Sequence, residues 1–300
     1  MGGNAFKENT VRRIHRTEIE PTLEFIVNSL SIPHLTMDYV KHNIMGSLGK
    51  QETSGDIDIA LNNRETIWPG APVLPIFSLR EVALRAMDIL GKDNVSTKTL
   101  RGGQIQTAFP IMGEVENGRV QVDFITGNPL WLKFTHFSPG LDSSPFKGVF
   151  ISTLLGVLAK MRPEVKITEL RDGVETTVAR VGYHYDLELG LYKRWSVLKP
   201  GAKYLSEIDP DLFESKFSNI PRCIRTGYID DPMEVLRIIF GRPVEMSQID
   251  TFEKIVKLTK DTFTEEEFCE IKNRFCEALM RSAGKKDHTL TGLLDLDLWK

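Results

Sequence analysis

Two aspartates, one residue apart, are the clearest chemical feature of this sequence. Asp56 and Asp58 stand in the run Asp-Ile-Asp-Ile, where polar and apolar residues alternate as along a β-strand. Residues i and i+2 of a strand point to the same face, so the two carboxylates converge on one volume. Such carboxylates repel each other unless a cation lies between them, and Mg²⁺ prefers oxygen ligands of this kind. The pattern predicts a divalent-metal site, with a solvated strand face as the simpler alternative.

A third carboxylate, Asp123, stands in a second strand-like run, Val-Gln-Val-Asp-Phe-Ile. If this strand neighbours the first one, Asp123 completes a site for two cations. Such a site holds both the attacking and the leaving oxygen of a phosphoryl displacement. The alternative is an aspartate on an edge strand without a chemical role.

Small residues near the aspartates could admit an anion. Gly46-Ser47 follows the apolar pair Ile44 and Met45, and a turn at this place would offer backbone N–H groups and a hydroxyl to a phosphate. Gly55 precedes Asp56 and has no side chain to block a ligand.

The elements that must position these residues follow from periodicity and capping signals. Ser78 and Glu81 are spaced as a capping box, as are Thr264 and Glu267. Asn117-Gly118 predicts a tight hairpin turn before the Asp123 strand. The sequence predicts helices over residues 18–30, 79–90, 146–161, 231–241, 247–260 and 264–283.

We therefore predict an α+β protein in which helices predominate after about residue 200. We expect an N-terminal helical segment over residues 1–40, a mixed α and β core over 41–199, and a mostly helical C-terminal domain over 200–300.

Composition excludes several classes of protein. The 300 residues carry 38 Lys and Arg against 41 Asp and Glu, so the chain lacks the basic excess of a histone-like or ribosomal protein. Three cysteines without a CxxC pair argue against a disulfide framework and a structural zinc site. The most apolar run, residues 148–158, is too short to span a bilayer, and the N-terminus lacks the apolar core of a signal peptide. We expect a cytoplasmic protein without a membrane partner.

Taken together, these motifs resemble the DNA polymerase β nucleotidyltransferase superfamily. The string GSLGKQETSGDIDIAL is most similar to the family X polymerases, whose motif runs roughly GSxRRGxxxSGDxDxLx. The Asp123 strand follows in the family's order, and Lys133-Phe134-Thr135 resembles the family's YFTG segment more weakly. The resemblance covers about residues 40–190.

The resemblance implies a nucleotidyltransferase core with a mixed sheet, and it implies roles for single residues. Asp56, Asp58 and Asp123 would hold two Mg²⁺ or Mn²⁺ ions, and Asp123 would also help to deprotonate the acceptor hydroxyl. The remaining implied contacts are with a nucleoside triphosphate such as ATP: Gly46, Ser47, Lys50 and Gly55 at the phosphates, Phe134 and Thr135 near the sugar and base.

Several positions differ from the family pattern. Leu48 and Gly49 stand where the family has two arginines, Gln121 stands where these polymerases usually have an arginine, and His136 replaces the last Gly of YFTG. About 45 residues precede Gly46, so we do not expect the family's N-terminal DNA-binding modules.

The expected function is transfer of a nucleoside monophosphate from a triphosphate to an acceptor hydroxyl, with release of pyrophosphate. The favoured acceptor is a nucleic-acid 3′ end, RNA slightly before DNA and without a template. Transfer to a protein, a small molecule or a second nucleotide stays open. The rival hypothesis is a non-catalytic nucleotide-binding scaffold on a degenerate core. The oligomeric state and the role of the C-terminal domain are left open.

Overall fold

The structure is a computed structural model, and it divides the chain into two compact units, Met1–Val149 and Phe150–Lys300. It describes residues 5–6, 11–63, 75–100, 103–137, 148–162, 165–171, 174–197, 223–225, 228–283 and 299. Within that part of the chain the fold is mixed α+β, as the sequence predicted, with eight α-helices and a mixed five-stranded sheet.

The first unit is built on the five-stranded sheet, with four helices. Its helices are α1 Ile19–Leu30, α2 Met37–Asn43, α3 Leu79–Leu90 and α4 Pro129–Thr135. Its strands are β1 Ile14–His15, β2 Ile44–Met45, β3 Thr53–Ser54, β4 Asp56–Asn62, β5 Val95–Ser96, β6 Gln104–Pro110 and β7 Arg119–Gly127.

The strand order of this sheet is β2-β4-β7-β6-β5. β4 and β7 run parallel, and every other neighbouring pair is antiparallel. A separate short ribbon pairs β1 with β3, the strand that leads into β4. The two aspartate-bearing strands are thus adjacent at the centre of the sheet.

One face of the sheet is buried mainly by apolar side chains and forms the core. Ile57, Ile59, Val122, Phe124 and Ile105 are inaccessible to solvent and belong to one cluster with residues of α1 and α3. Because side chains alternate along a strand, burying this set sends the intervening polar residues to the opposite face. The core therefore fixes which side chains are available for chemistry.

Local signals explain where the helices begin. The Ser78 hydroxyl accepts a hydrogen bond from the Glu81 N–H at 3.4 Å, and Thr264 and Glu267 form a reciprocal capping box. The box at Thr264 and Glu267 is confirmed, and at Ser78 the structure shows the hydroxyl half of the predicted box. The helix expected over residues 247–260 begins later, at Phe252, because Thr251 caps it by accepting from the Lys254 N–H.

The predicted tight turn at Asn117-Gly118 is wrong, since β6 and β7 are joined by the whole segment 111–118. Gly118 does adopt a positive φ, but it closes a wider loop. Within that loop the Met112 N–H donates to the Thr22 hydroxyl of α1 at 2.9 Å. The bond to α1 holds the connection away from a two-residue hairpin.

The second unit combines a four-stranded antiparallel sheet with four helices. The sheet has the order β11-β10-β9-β8 and is made of β8 Val165–Arg171, β9 Val174–Asp186, β10 Gly190–Val197 and β11 Cys223–Arg225. α5 Gly148–Met161 begins at the division between the units, and α6 Pro232–Phe240, α7 Phe252–Thr262 and α8 Glu265–Ala283 follow the sheet. Phe252 and Phe275 stack at 5.3 Å between ring centroids, and Trp299 packs against both.

The division differs from the boundaries that the sequence suggested after residues 40 and 199. α1 shares one apolar core with β4 and β7, and β11 pairs with β10. Core packing therefore crosses the predicted boundary after residue 40, and backbone hydrogen bonds join strands on either side of the predicted boundary after residue 199. The described residues after 227 are mostly helical, as expected. Among the described helices, none is both long and apolar enough to cross a bilayer.

Two glycines with similar positive φ give a test of the packing between α1 and the 111–118 loop. Gly113 and Gly91 have φ of 83° and 79°. A Cβ at Gly113 would lie 2.7 Å from the Phe25 ring, whereas one at Gly91 would meet nothing within 4 Å. We expect Gly113→Ala to destabilise the chain by at least about 1 kcal/mol more than Gly91→Ala, because only the first adds overpacking to strain. Calorimetric Tm values of the two variants check this, and equal values would contradict the packing.

Candidate metal centre

Three carboxylates meet on the polar face of the central sheet. In the parallel register of β4 and β7, Asp58 is the partner of Asp123 and Asp56 the partner of Gln121. One oxygen from each of Asp56, Asp58 and Asp123 lies within 4.8 Å of the other two. The two predicted aspartate strands therefore bring their side chains together as expected.

The other end of this polar face is covered. Ala60 and Ile125 are buried in a small cluster with Met45 and with Leu132 of α4. Ala60 and Ile125 follow Asp58 and Asp123 by two residues, so they lie on the same face of the sheet. α4 thus closes one half of the face, and the carboxylates occupy the other half.

Crowding and partial burial determine the electrostatics of the three aspartates. Burial, together with the charges of Asp56 and Asp123, raises the pKa of Asp58 to about 8. Burial also raises the pKa of Asp123 to about 6, against the effect of its amide hydrogen bonds, and it raises the pKa of Asp56. A divalent cation would relieve both the repulsion and the lost hydration, so the site could bind a metal ion.

Glutamine amides surround Asp123. Gln121 Nε2 donates to Asp123 Oδ1 at 2.8 Å, and Gln104 Nε2 donates to Asp123 Oδ2 at 2.9 Å. Gln106, the antiparallel partner of Asp123, is a further hydrogen-bonding neighbour. Neutral amides orient the carboxylate without cancelling its charge, because they carry no charge of their own.

Gly46 lies directly against the carboxylate of Asp58. Its φ is 71°, and a Cβ at this position would lie 3.1 Å from Asp58 Oδ2. Glycine therefore serves both the left-handed turn after β2 and the close approach of the backbone to the carboxylate. The Gly-Ser pair that the sequence singled out is at the metal centre through its glycine.

The rest of the predicted anion-binding turn surrounds this glycine. The Ser47 carbonyl accepts from the Lys50 N–H at 3.1 Å, which closes the turn, and Ser47 is partly exposed. Lys50 Nζ lies 5.0 Å above the ring of Phe137, and burial lowers the pKa of Lys50. Gly55 is partly exposed where β3 passes into β4.

Phe134 and Thr135 are placed differently from what a sugar and base contact requires. Their exposed fractions are 7% and 5%. Phe134 packs against Trp131 at 5.3 Å between ring centroids, and the Thr135 hydroxyl donates to the Leu132 carbonyl within α4. A sugar or base could touch only the small exposed part of each side chain. Phe137 is bridged to Gly46, so the end of α4 supports the glycine turn.

The N-terminal segment reaches the metal centre, which sequence reasoning missed. Arg13 donates to both the hydroxyl and the carbonyl of Thr53 at 2.9 and 2.7 Å, and its charge lowers the pKa of Asp56 against the larger effect of burial. The Ala5 N–H donates to Gln121 Oε1 at 3.1 Å. Only the basic residue types of this segment could have signalled such a role, because its partners are far away in sequence.

Comparisons with known proteins add no relative: the chain matches no protein-family model, no curated protein and no solved structure.

The raised pKa values predict how stability depends on pH. Protons bound to Asp58 and Asp123 in the folded chain are lost in the unfolded chain above its ordinary carboxyl pKa, so unfolding becomes easier as pH rises from about 4 to about 8. In the Asp58→Asn variant, the side chain at position 58 is neutral at every pH. With a chelator present, we expect the Tm of this variant minus the native Tm to increase from pH 5 to pH 8. The expected gain is roughly 2–4 °C or more.

The same two proteins test the cation. At pH 8, Mg²⁺ or Mn²⁺ should raise the native Tm and leave that of Asp58→Asn nearly unchanged, because the variant lacks one ligand. A cation effect of equal size in both proteins would contradict the assignment of the site.

A second pair of glycines tests the approach of the backbone to Asp58. Gly46 and Gly49 have φ of 71° and 73°, but a Cβ at Gly49 would meet only Ile19 Cδ1, at 3.9 Å. We expect the alanine variants to lose similar stability, whereas only Gly46→Ala weakens Mn²⁺ binding, by about tenfold or more. Titration of free Mn²⁺ by electron paramagnetic resonance measures this. Equal affinities in the two variants would show that the glycine turn has no part in the site.

Proposed function

We propose that this chain is a metal-dependent nucleotidyltransferase with a polymerase β-like core, transferring a nucleoside monophosphate from a triphosphate to an acceptor hydroxyl. The observation that carries the proposal is the cluster of three carboxylates on neighbouring parallel strands, with the glycine turn against Asp58. Three convergent carboxylates are what a site for two Mg²⁺ or Mn²⁺ ions requires, and such sites serve phosphoryl transfer.

The three aspartates would bind the cations, and one of them would also accept a proton. Asp56, Asp58 and Asp123 would hold the cations, which neutralise negative charge on the triphosphate when bound. Asp123 accepts the proton of the acceptor hydroxyl. The acceptor oxygen then forms a bond to the α-phosphorus, the bond from this phosphorus to the bridging oxygen breaks, and pyrophosphate leaves with the electron pair.

Lys50 and Arg13 are the candidate sources of positive charge for the phosphates. Lys50 stands at the end of the glycine turn, and Arg13 is exposed and close enough to Asp56 to lower its pKa. The scaffold hypothesis drew its support from Leu48 and Gly49, which stand where arginines were expected. Leu48 packs against the core, and Arg13 comes from another segment to the same end of β4. This arrangement favours an enzyme over a scaffold.

The favoured acceptor is a nucleic-acid 3′ end, RNA before DNA and without a template. A protein side chain, a small molecule and a second nucleotide are the other acceptors to be compared.

The test is incorporation of label from each α-labelled ribo- and deoxyribonucleoside triphosphate, with Mg²⁺ or Mn²⁺, into single-stranded RNA, single-stranded DNA, protein and free nucleotides. We expect one acceptor class to be labelled, with release of one pyrophosphate per transfer. Asp58→Asn should lower the rate at least about a hundredfold, since it removes a ligand that stabilises the developing charge.

Asp93→Asn is the matched control, because Asp93 is an exposed carboxylate in the same unit and should give the native rate. Nucleotide binding without pyrophosphate release on any acceptor would support the scaffold instead. A native rate for Asp58→Asn would overturn the metal assignment.

A further inference from the structure

Three strands contribute polar side chains to one face, and the residues stand in register. Asp58, Asp123 and Gln106 form a row across β4, β7 and β6, and Asp56 and Gln121 form the row beside it. The face thus holds two carboxylates on β4 and two glutamine amides on β6, and β7 between them contributes both Asp123 and the amide of Gln121.

Glutamine amides bond both oxygens of the Asp123 carboxylate. Gln121 bonds Oδ1 and Gln104 bonds Oδ2, at 2.8 and 2.9 Å. Each carboxylate oxygen can accept two hydrogen bonds or ligands. Gln121 and Gln104 use one position on each oxygen, and with the further contact from Gln106 a position is still left for a cation. Two donors on opposite oxygens also prevent the carboxylate from rotating about its Cβ–Cγ bond without loss of a bond.

The orientation of the Gln121 amide is itself determined by its surroundings. Gln121 is 2% exposed, and its Oε1 accepts from the Ala5 N–H at 3.1 Å. With the carbonyl side of the amide engaged by that donor, the NH₂ side must face Asp123. The N-terminal segment therefore fixes the amide that in turn fixes the carboxylate.

We propose that Gln104 and Gln121, with Gln106 beside them, are positioning residues that orient the Asp123 carboxylate toward cation and acceptor hydroxyl while leaving its full negative charge for the cation. The inference rests on the proposed function for the acceptor and on the metal centre alone for the cation. Glutamine donates hydrogen bonds without adding charge, whereas the arginine that the polymerases usually have at the position of Gln121 donates and also adds a positive charge.

The test uses two kinds of substitution: one removes the hydrogen-bond donors to Asp123, and the other keeps donors but adds a positive charge. Gln104→Met with Gln121→Met keeps side-chain size and removes both donors. Gln121→Arg keeps donors and adds a positive charge. Gln51→Met, in the loop that leads into β3, removes a glutamine amide elsewhere in the same unit and is the control. Circular dichroism and Tm first establish that each variant is folded.

Two readouts are expected to change in the double methionine variant. The dissociation constant for Mn²⁺ alone, measured by electron paramagnetic resonance at fixed pH, should rise about 10- to 100-fold. With the labelled triphosphate and acceptor, kcat should fall by a similar factor while KM for the triphosphate stays within about twofold. Gln121→Arg should lose less Mn²⁺ affinity than the double methionine variant, because it retains donors to Asp123.

The outcomes separate this inference from the proposed function. If transfer occurs and depends on Asp58 but the double methionine variant matches the native chain in Mn²⁺ affinity and kcat, the positioning role is overturned and the function stands. If no acceptor is labelled but Mn²⁺ binding weakens as expected, the function is overturned and the positioning role toward the cation stands. Weaker Mn²⁺ binding in the Gln51→Met control would overturn the specific role of the two glutamines.

Discussion

Mutual repulsion among three carboxylates is the constraint on which the first unit depends. Asp56, Asp58 and Asp123 lie within 4.8 Å of one another in a partly buried place, where each charge is expensive to keep. The sheet tolerates this arrangement because Ile57, Ile59, Val122 and their neighbours bury the opposite face completely. Apolar burial on one side thus stabilises an arrangement that the other side would not maintain by itself.

The supports of the site come from segments that are far apart in the chain. β1 pairs with β3 just before Asp56, Arg12 N–H bonds the Arg119 carbonyl at the start of β7, and Ala5 reaches Gln121. One N-terminal segment is thereby attached to both strands that carry the aspartates. Its role is mechanical as well as electrostatic, because it ties the ends of β4 and β7 to the same piece of backbone.

The three carboxylates could be predicted from the sequence, whereas the glutamines and the N-terminal segment that contact them could not. The spacing of Asp56 and Asp58 has a direct meaning, since strand periodicity alone puts both side chains on one face. The positions of Gln104 and Gln106 depend instead on an antiparallel register between β6 and β7, which no local pattern specifies. The wide loop before β7 was missed for a related reason: its shape depends on a hydrogen bond to Thr22, about ninety residues earlier. Phe134 and Thr135 matched a motif by type, but only the packing of α4 decides that they are buried.

The parallel pairing of β4 and β7 also has a consequence for the order of events during synthesis. The three carboxylates of the candidate metal centre come from residues 56, 58 and 123, so a nascent chain that ends before β7 lacks one of them and the central partner of β4. Pairing across so long a stretch forms slowly compared with helices such as α1 and α3, because loop closure must precede it. We therefore expect the carboxylate cluster to form late in folding, since in a nascent chain the edge of β4 that pairs with β7 has no partner until β7 has been synthesised.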